Sequence, residues 1–434
     1  MVRKYIIVGT GAAGLGAAET IHECDPAGEI LAFGDDPHGF YSRPGVAYFL
    51  TGELTERQLA LRQGKGFCRI GVKVNAVQPE SRVVVAGGKE FSYDKLLFAT
   101  GSVAAALSVP GADLKGVVKL DNLDDARNMI KMGRTRGTAV VVGGGIIALE
   151  MVEGFLSRGL KTHYLLRSNR YWPNVLDNEE SEIVETRLKG HGAIIHYRTE
   201  IARITGENGR VVAMETKSGE RIKCQLVGVA IGVQPRIELA QVAGLRTGKG
   251  ILTDEFLRTG TDGIFAAGDA AQVLDPVSGK TSLDTLWGTA LAQGRVAGSN
   301  MACDSLTPFN KSIACNIARL AGITTTIIGM VGQNERDPDL MNISRGDSES
   351  WRQVPDINIM AVQSHHEINR VRVVIGKEAI IGALVMGDQT LSRPLRELIA
   401  NRVDISAISD KLRLPDVPLV ETIIDFWLAW SRQT

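Results

Sequence analysis

Lys4-Tyr5-Ile6-Ile7-Val8, running directly into Gly9-Thr10-Gly11-Ala12-Ala13-Gly14, decides how this chain is read. The first five residues predict a buried strand, and the Ala-rich run from Ala12 to about Glu23 predicts a helix. Between them each glycine has its own task. Gly9 permits the tight turn, Gly11 lets the backbone approach a pyrophosphate, and Gly14 lets helix and strand pack closely, with the helix N-terminus facing the phosphate charge. Ala12 and Ala13 open that helix and so belong to the same cradle. A lone turn of this spacing is weak evidence, but its context is specific. A second apolar strand, Glu29 to Phe33, leads to Asp35, about 20 residues past the last glycine, where a carboxylate accepts hydrogen bonds from a ribose diol. Asp36 takes that part if the strand is one residue longer.

The arrangement recurs in mid-chain. Thr138 to Val142 predict another apolar strand, which enters Gly143-Gly144-Gly145-Ile146-Ile147-Ala148 and a helix whose Ala148, Met151, Val152 and Phe155 share one apolar face. Ala148 stands in the third small position, which the fingerprint tolerates. A further strand follows at Thr162 to Leu166. Two dinucleotide folds in one chain imply two dinucleotides bound face to face, an arrangement suited to hydride transfer between rings. A third signal is Thr261-Asp262-Gly263-Ile264-Phe265-Ala266-Ala267-Gly268-Asp269, read as the end of a strand and the start of a helix. Asp269 is placed to hydrogen-bond a ribitol chain while the helix N-terminus serves the pyrophosphate.

Composition narrows the remaining classes. A length of 434 residues leaves room for about three domains. Lysine plus arginine (49) equal aspartate plus glutamate (49), so no global field draws the chain to nucleic acid or an anionic membrane. No apolar run reaches the roughly 18 residues of a membrane span, and the strand begins too early for a signal peptide, so the expected location is the cytoplasm. The five cysteines, Cys24, Cys68, Cys224, Cys303 and Cys315, form no CxxC pair and show no zinc spacing, which predicts reduced thiols and no metal site. His365 and His366 are adjacent, so in a strand they would face opposite ways and not share a ligand.

Together the motifs resemble the two-dinucleotide flavoproteins of the pyridine nucleotide-disulfide oxidoreductase superfamily, which contains glutathione reductase, NADH oxidases, coenzyme A disulfide reductase, rubredoxin and ferredoxin reductases, and the flavin module of assimilatory nitrite reductase. The resemblance runs nearly the whole chain. Besides the two fingerprints it includes Ala99-Thr100-Gly101-Ser102, Ala230-Ile231-Gly232-Val233-Gln234-Pro235 and the Gly268-Asp269 pair. It implies an α/β fold with two Rossmann-like dinucleotide-binding domains, one of them discontinuous: an FAD domain from 1–115 plus 247–305, interrupted by an NAD(P) domain at 116–246. Residues 306–434 would be a C-terminal α+β dimerisation domain, with strand patterns at Arg370 to Ile375 and Ala379 to Val385 and a helix at Leu391 to Asn401. The implied FAD contacts extend to Arg43, Pro44, Val74, Ala99, Thr100, Gly101, Gly268, Asp269 and Trp287. Those for the nicotinamide coenzyme are Gly143, Gly145, Ile146, Ile147 and Gly232.

The chemistry that remains depends on what stands over the flavin. Disulfide-reducing members carry a redox cysteine just after the second strand, and here Phe40-Tyr41-Ser42-Arg43-Pro44 has proline in that place. Without that nucleophile a thiolate mechanism is not expected, and the Tyr-x-Arg-Pro pattern is similar to the rubredoxin, ferredoxin and nitrite reductase flavoproteins. Many electron-delivering members pair a lysine four residues after the proline with the glutamate following the second fingerprint. Here Glu150 is present but the lysine position is Tyr48, as in the oxidase-like branch. Glu150 and Tyr48 are the candidate catalytic residues. Glu150, expected to line the nicotinamide pocket, must find Arg43 or water, or take a raised pKa.

Coenzyme choice rests on Tyr164-Leu165-Leu166-Arg167-Ser168-Asn169-Arg170, which has Leu166 where NAD enzymes place an acid. Arg167 and Arg170 predict NADPH preferred over NADH. The leading expectation is an FAD-dependent NAD(P)H oxidoreductase that delivers electrons to a separate redox protein or within a larger complex. The alternatives are an oxidase reducing O2 to peroxide and a flavin-bound scaffold or sensor. An apolar, aromatic helix from Val420 to Trp430 is either domain core or a surface for a partner.

Overall fold

Four consecutive buried residues, Tyr5 to Val8, need cover on both faces, and a parallel sheet between helices supplies it. In the computed structural model, which describes residues 2–60, 68–133, 137–275, 280–303, 305–311, 313–332, 359–364, 369–376, 378–412, 414 and 417–433, Lys4–Val8 is the middle strand of a five-stranded parallel sheet. The strand order is Ile264–Ala266, Lys95–Phe98, Lys4–Val8, Glu29–Gly34, Cys68–Ile70. The edge strand Ile264–Ala266 comes from far downstream in the chain, so this unit is discontinuous. Its register puts Val8, Phe33, Phe98 and Ala266 side by side, which aligns the carboxyl ends of the central strands.

Helix Ala12–Cys24 lies beside helix Trp287–Ala302 because both carry small residues at the contact. A β-carbon on Gly294 would lie 2.1 Å from the Ala13 carbonyl oxygen, and one on Gly298 would lie 2.6 Å from that of Ala17. The strand Val74–Gln78 begins a three-stranded antiparallel sheet with Val83–Ala86 and Lys89–Ser92.

The second unit repeats this plan. Thr138–Val142 is the middle of five parallel strands in the order Ile194–His196, Lys161–Leu165, Thr138–Val142, Leu226–Val229, Val117–Val118, and it too carries three antiparallel strands, Ile201–Glu207, Arg210–Thr216 and Arg221–Lys223. Helix Ile146–Leu156 buries Ala148, Met151, Val152 and Phe155, the face its spacing predicts. A two-stranded ladder, Ser102–Ala104 with Val233–Pro235, carries the chain between the units.

The C-terminal part is an antiparallel sheet in the order Cys315–Leu320, Ile323–Gly329, Ile380–Met386, Arg370–Ile375, Ile359–Ser364, with helices Ser392–Ala400, Ser406–Leu412 and Leu419–Ser431. The last helix buries Leu419 and Ile423 and packs Trp427 and Trp430 against its own domain, with Trp427 Nε1 donating to Glu397 at 2.8 Å. The aromatic tail thus packs partly against its own domain, while Leu428 stays exposed. His365 and His366 lie outside the described residues. No helix among those described is long and apolar enough to cross a membrane.

This sheet docks on the second unit through apolar residues that join its core, among them Leu320, Ile323 and Leu384, and through a buried ionic cluster. Helix Asn178–Gly190 starts with a capping box, in which Asp177 accepts from the Glu180 N–H and Glu180 accepts from the Asp177 N–H, each at 2.8 Å. From the C-terminal sheet, Arg372 donates to both Glu180 oxygens at 2.8 and 3.0 Å, and to the carbonyls of Val331 and Val175. Both side chains are fully buried. Arg370 adds Asp177 at 2.6 Å and Glu179. Burial pushes the Glu180 carboxyl upward, and the Arg372 charge opposes that shift.

Glu180→Ala would leave a buried guanidinium without its carboxylate, and is expected to cost about 3–5 kcal/mol in denaturant or thermal unfolding. Glu179→Ala, at a 70% exposed side chain, is expected to cost under about 1 kcal/mol.

Candidate functional site

The turns that follow the aligned strand ends enclose an open cavity. Gly9, Ala99 and Ala267 come directly after three of these strands, Gly34 ends a fourth, and all four line it, as expected at the carboxyl edge of an open parallel sheet. Gly9 has φ +118°, and a β-carbon there would lie 1.9 Å from the Ala99 carbonyl oxygen. Gly14 is equally constrained, its β-carbon position 1.9 Å from the Gly9 oxygen, whereas Gly11 faces open space. Gly11 caps the first helix with no side-chain hydrogen bond, so the amides at Ala12 and Ala13 open onto the cavity that both residues line. A β-carbon at residue 11 would protrude into that space. The cradle therefore fits a pyrophosphate.

The two candidate acids separate. Both Asp36 oxygens are engaged within the protein, by the Tyr41 hydroxyl and the His38 N–H at 2.9 Å each, with Arg43 3.6 Å away. Asp35 is more than half exposed and is met by Arg236 Nη1 at 3.1 Å. Arg43 also donates to the Asp121 carbonyl at 2.8 Å. Pro44, Thr100, Gly101, Gly268 and Asp269 line the same cavity. The Ser102 hydroxyl donates to Asp269 at 2.6 Å.

Gly268–Ala270 forms a single 3-10 turn followed by the strand Ala271–Asp275, not the start of a long helix. The helix that begins near this end of the cavity is Trp287–Ala302, and Trp287 stacks on Phe40 with centroids 5.8 Å apart. Val74 is a further departure. Its side chain packs into the core with Val77, Val84 and Ala86, and it is not among the residues lining the cavity.

The second fingerprint repeats the geometry of the first. Gly143 has φ +146°, a β-carbon on it would lie 2.1 Å from the Ala230 carbonyl oxygen, and Gly144 faces open space. Gly143 and Gly144 line a groove together with Arg167, Ser168, Arg170, Thr199 and Lys217. Lys217 is paired with Glu200 at 2.7 Å. Leu166, at the position where an acid would stand, is buried. Gly145, Ile146, Ile147 and Gly232 surround a smaller pocket, and Ile146 and Ile147 also line the large cavity. The first turn of helix Ile146–Leu156 is thus a shared wall.

One turn further along that helix, Glu150 lines the large cavity with Tyr48. Burial first, then the Glu150 charge, raises the Tyr48 hydroxyl pKa, so Tyr48 stays a neutral phenol. Arg319, from the C-terminal strand Cys315–Leu320, reaches the same wall and pairs with Glu53. Glu153, behind Glu150, is raised to about 7, mainly by burial and against the field of Arg319.

A family model described as pyridine nucleotide-disulphide oxidoreductase matches residues 3–294. This chain belongs to that family. The oxidoreductase is 30% identical to the rubredoxin-NAD(+) reductase of Ectopseudomonas oleovorans over 312 residues, covering 70% of this chain and 80% of that one. It is 24% identical to the nitrite reductase [NAD(P)H] of Bacillus subtilis over 94% of its own length and 48% of the relative's. In fold it is similar to the ferredoxin reductase for the CYP199A2 system from Rhodopseudomonas palustris, with a TM-score of 0.83 at 22% identity over 97% of this chain and 99% of that one. The protein is an NAD(P)H-dependent flavoprotein oxidoreductase.

Several lining residues carry no motif. Arg236 follows directly on a recognised segment, and its N–H donates to the Gly101 carbonyl, a pairing sequence spacing alone does not reveal. Asn316, Ile317, Ala318 and Arg319 come from a strand more than 160 residues past Glu150, placed there only by docking of the C-terminal sheet. No cysteine is among the described residues lining the large cavity, and burial raises the Cys68 thiol, which sits on the sheet's edge strand.

Folded Glu153 holds its proton to about pH 7, while the unfolded carboxyl loses it near 4.5. Stability is therefore present below the lower value and falls as pH rises through the window, by roughly 3 kcal/mol at most. Unfolding measured across that range should show this slope in the native protein and lose it in Glu153→Gln.

Proposed function

We propose that this oxidoreductase takes a hydride from NADPH seated on Gly143–Gly145 into FAD seated on Gly9–Gly14, and delivers the electrons to a separate redox protein. The observation that carries this reading is the shared wall: Ile146 and Ile147 line both the pocket beside the second cradle and the large cavity. Two dinucleotides held on these cradles would bring their reactive ends to opposite sides of one helical turn. Bound flavin accepts two electrons together and can release them singly. FAD would be held by the Gly9–Ala13 amides, Asp35, Thr100, Gly101, Asp269 and Trp287. Glu150 and Tyr48 would border the ring-bearing end, with Glu150 orienting the nicotinamide amide and Tyr48 presenting a neutral hydroxyl.

The absence of a cysteine among the described lining residues supports electron delivery over disulfide reduction. The relative at 30% identity that is named a rubredoxin-NAD(+) reductase supports the same reading. The acceptor is therefore proposed to be a small iron-sulfur or rubredoxin-type protein. NADPH is preferred because Arg167 and Arg170 line the groove where Leu166 replaces a ribose-binding acid.

The coenzyme assignment is tested by kcat/KM. NADPH is expected to exceed NADH at least tenfold, about 1.4 kcal/mol of transition-state discrimination, and Arg167→Ala with Arg170→Ala should erase that margin. A tenfold advantage for NADH would reverse the assignment.

For the site, Glu150→Ala is expected to slow flavin reduction in single-turnover stopped flow by tenfold or more while FAD stays bound. Unchanged kinetics would remove Glu150 from the reaction. For electron fate, NADPH consumption in air should be slow alone and rise on adding a rubredoxin or a ferredoxin; rapid consumption with no added acceptor would assign oxygen instead.

A further inference from the structure

The two helices that frame the FAD cradle both end in a cysteine. Ala12–Cys24 finishes on Cys24, and Trp287–Ala302 is followed at once by Cys303. Their contacts advance together: residue 294 meets residue 13, and residue 298 meets residue 17. Equal four-residue steps mean that the helices run parallel and in register, so their C-terminal ends lie side by side. Close approach through glycine at each step leaves no spacer between them. At those ends Cys24 lies near enough to Cys303 that the neighbouring thiol is the leading cause of a raised Cys24 pKa. The Ser299 hydroxyl also contacts Cys303 Sγ at 3.9 Å, which fixes that side chain against the helix it follows. Cys24 is exposed and Cys303 half-buried, so solutes reach the pair from outside.

The other three thiols differ. Burial raises the pKa of Cys68, Cys224 and Cys315, Cys224 to about 12, and none of these three thiols has another cysteine among the causes of its shift.

We propose that Cys24 and Cys303 form a dithiol that hydrogen peroxide converts to an intramolecular disulfide, stapling the two cradle helices at the ends remote from the cofactor. One thiol reduces peroxide and becomes a sulfenic acid, releasing water. The second thiol then attacks that sulfur, the S–S bond forms, the S–O bond breaks, and a second water leaves. In sum, two thiols and one peroxide give one disulfide and two waters, with both electrons passing to the peroxide oxygens. The raised Cys24 pKa keeps the thiolate fraction small near neutrality, so the reaction needs excess peroxide and is reversed by a dithiol reductant. The staple joins positions almost 280 residues apart and restrains helices whose first turns both line the large cavity.

The test uses the FAD-loaded protein exposed to hydrogen peroxide, quenched, denatured and titrated for free thiols, with peptide mapping. The expected result is a fall from five free thiols to three, a linked peptide pair containing Cys24 and Cys303 with two hydrogens lost, and full recovery with dithiothreitol. Cys24→Ser, at an exposed helix end away from the cavity, should keep its four thiols, turn over NADPH normally and show no linked pair. The oxidised native protein should also melt at a higher temperature than the reduced one, a gain absent in the variant. Over-oxidation of Cys24 or Cys303 to sulfinic acid with no linked peptide would overturn the proposal. So would a cross-link joining Cys24 of two separate copies.

Discussion

The carbonyl oxygen of Ala99 occupies the space a β-carbon on residue 9 would need, and the Ala230 oxygen does the same to residue 143. Most of the functional architecture follows from that contact, made twice. It lets the neighbouring strand end press against the turn, so the helix leaves the sheet with its uncapped amides aimed along the strand edge. Any side chain at these positions would push turn and strand apart and rotate the first helical amides away from the cavity. Positive φ at both glycines adds a second reason why no other residue fits.

The contact also explains why the motif segments come in pairs. Ala99-Thr100-Gly101 and Ala230-Ile231-Gly232 are far in sequence from the turns they serve, but they are the residues that follow the adjacent parallel strands. Each turn is incomplete until its neighbouring strand has paired. Cradle and sheet are thus one cooperative object, and the discontinuous first unit closes only when Ile264–Ala266 has joined its edge.

The C-terminal sheet has a different relation to the site. It contributes no cradle, yet Arg319 and its neighbours form one wall of the large cavity. They are held there by Ala318 and Leu320, buried in the second unit's apolar core, and by Arg372 and Arg370 on the capping box of helix Asn178–Gly190. A buried bidentate pair is demanding about geometry, because neither partner can be resolvated if the sheet shifts. That rigidity sets where Arg319, Glu53 and Glu153 meet beside Tyr48 and Glu150.

Much of this was legible in the residues themselves. Strand, glycine turn and helix at 4–24 and 138–156 are local patterns, since backbone sterics and amphipathic spacing operate over a few residues. So were the proline at position 44, the Leu166-Arg167 pair, and the strands near 370–386. Other features depended on contacts that no spacing encodes. Asp35 rather than Asp36 faces outward because Tyr41 and His38 claim Asp36. Gly268-Asp269 makes one 3-10 turn because the chain must go straight into the strand Ala271–Asp275, and Val74 turns into the core. Sequence alone determined that two glycine turns of the same strand–turn–helix plan exist and that residue 44 is proline, not cysteine. Tertiary structure decided that they share the wall at Ile146 and Ile147, and that Arg319 joins them, because side chains distant in the chain meet only after sheets dock.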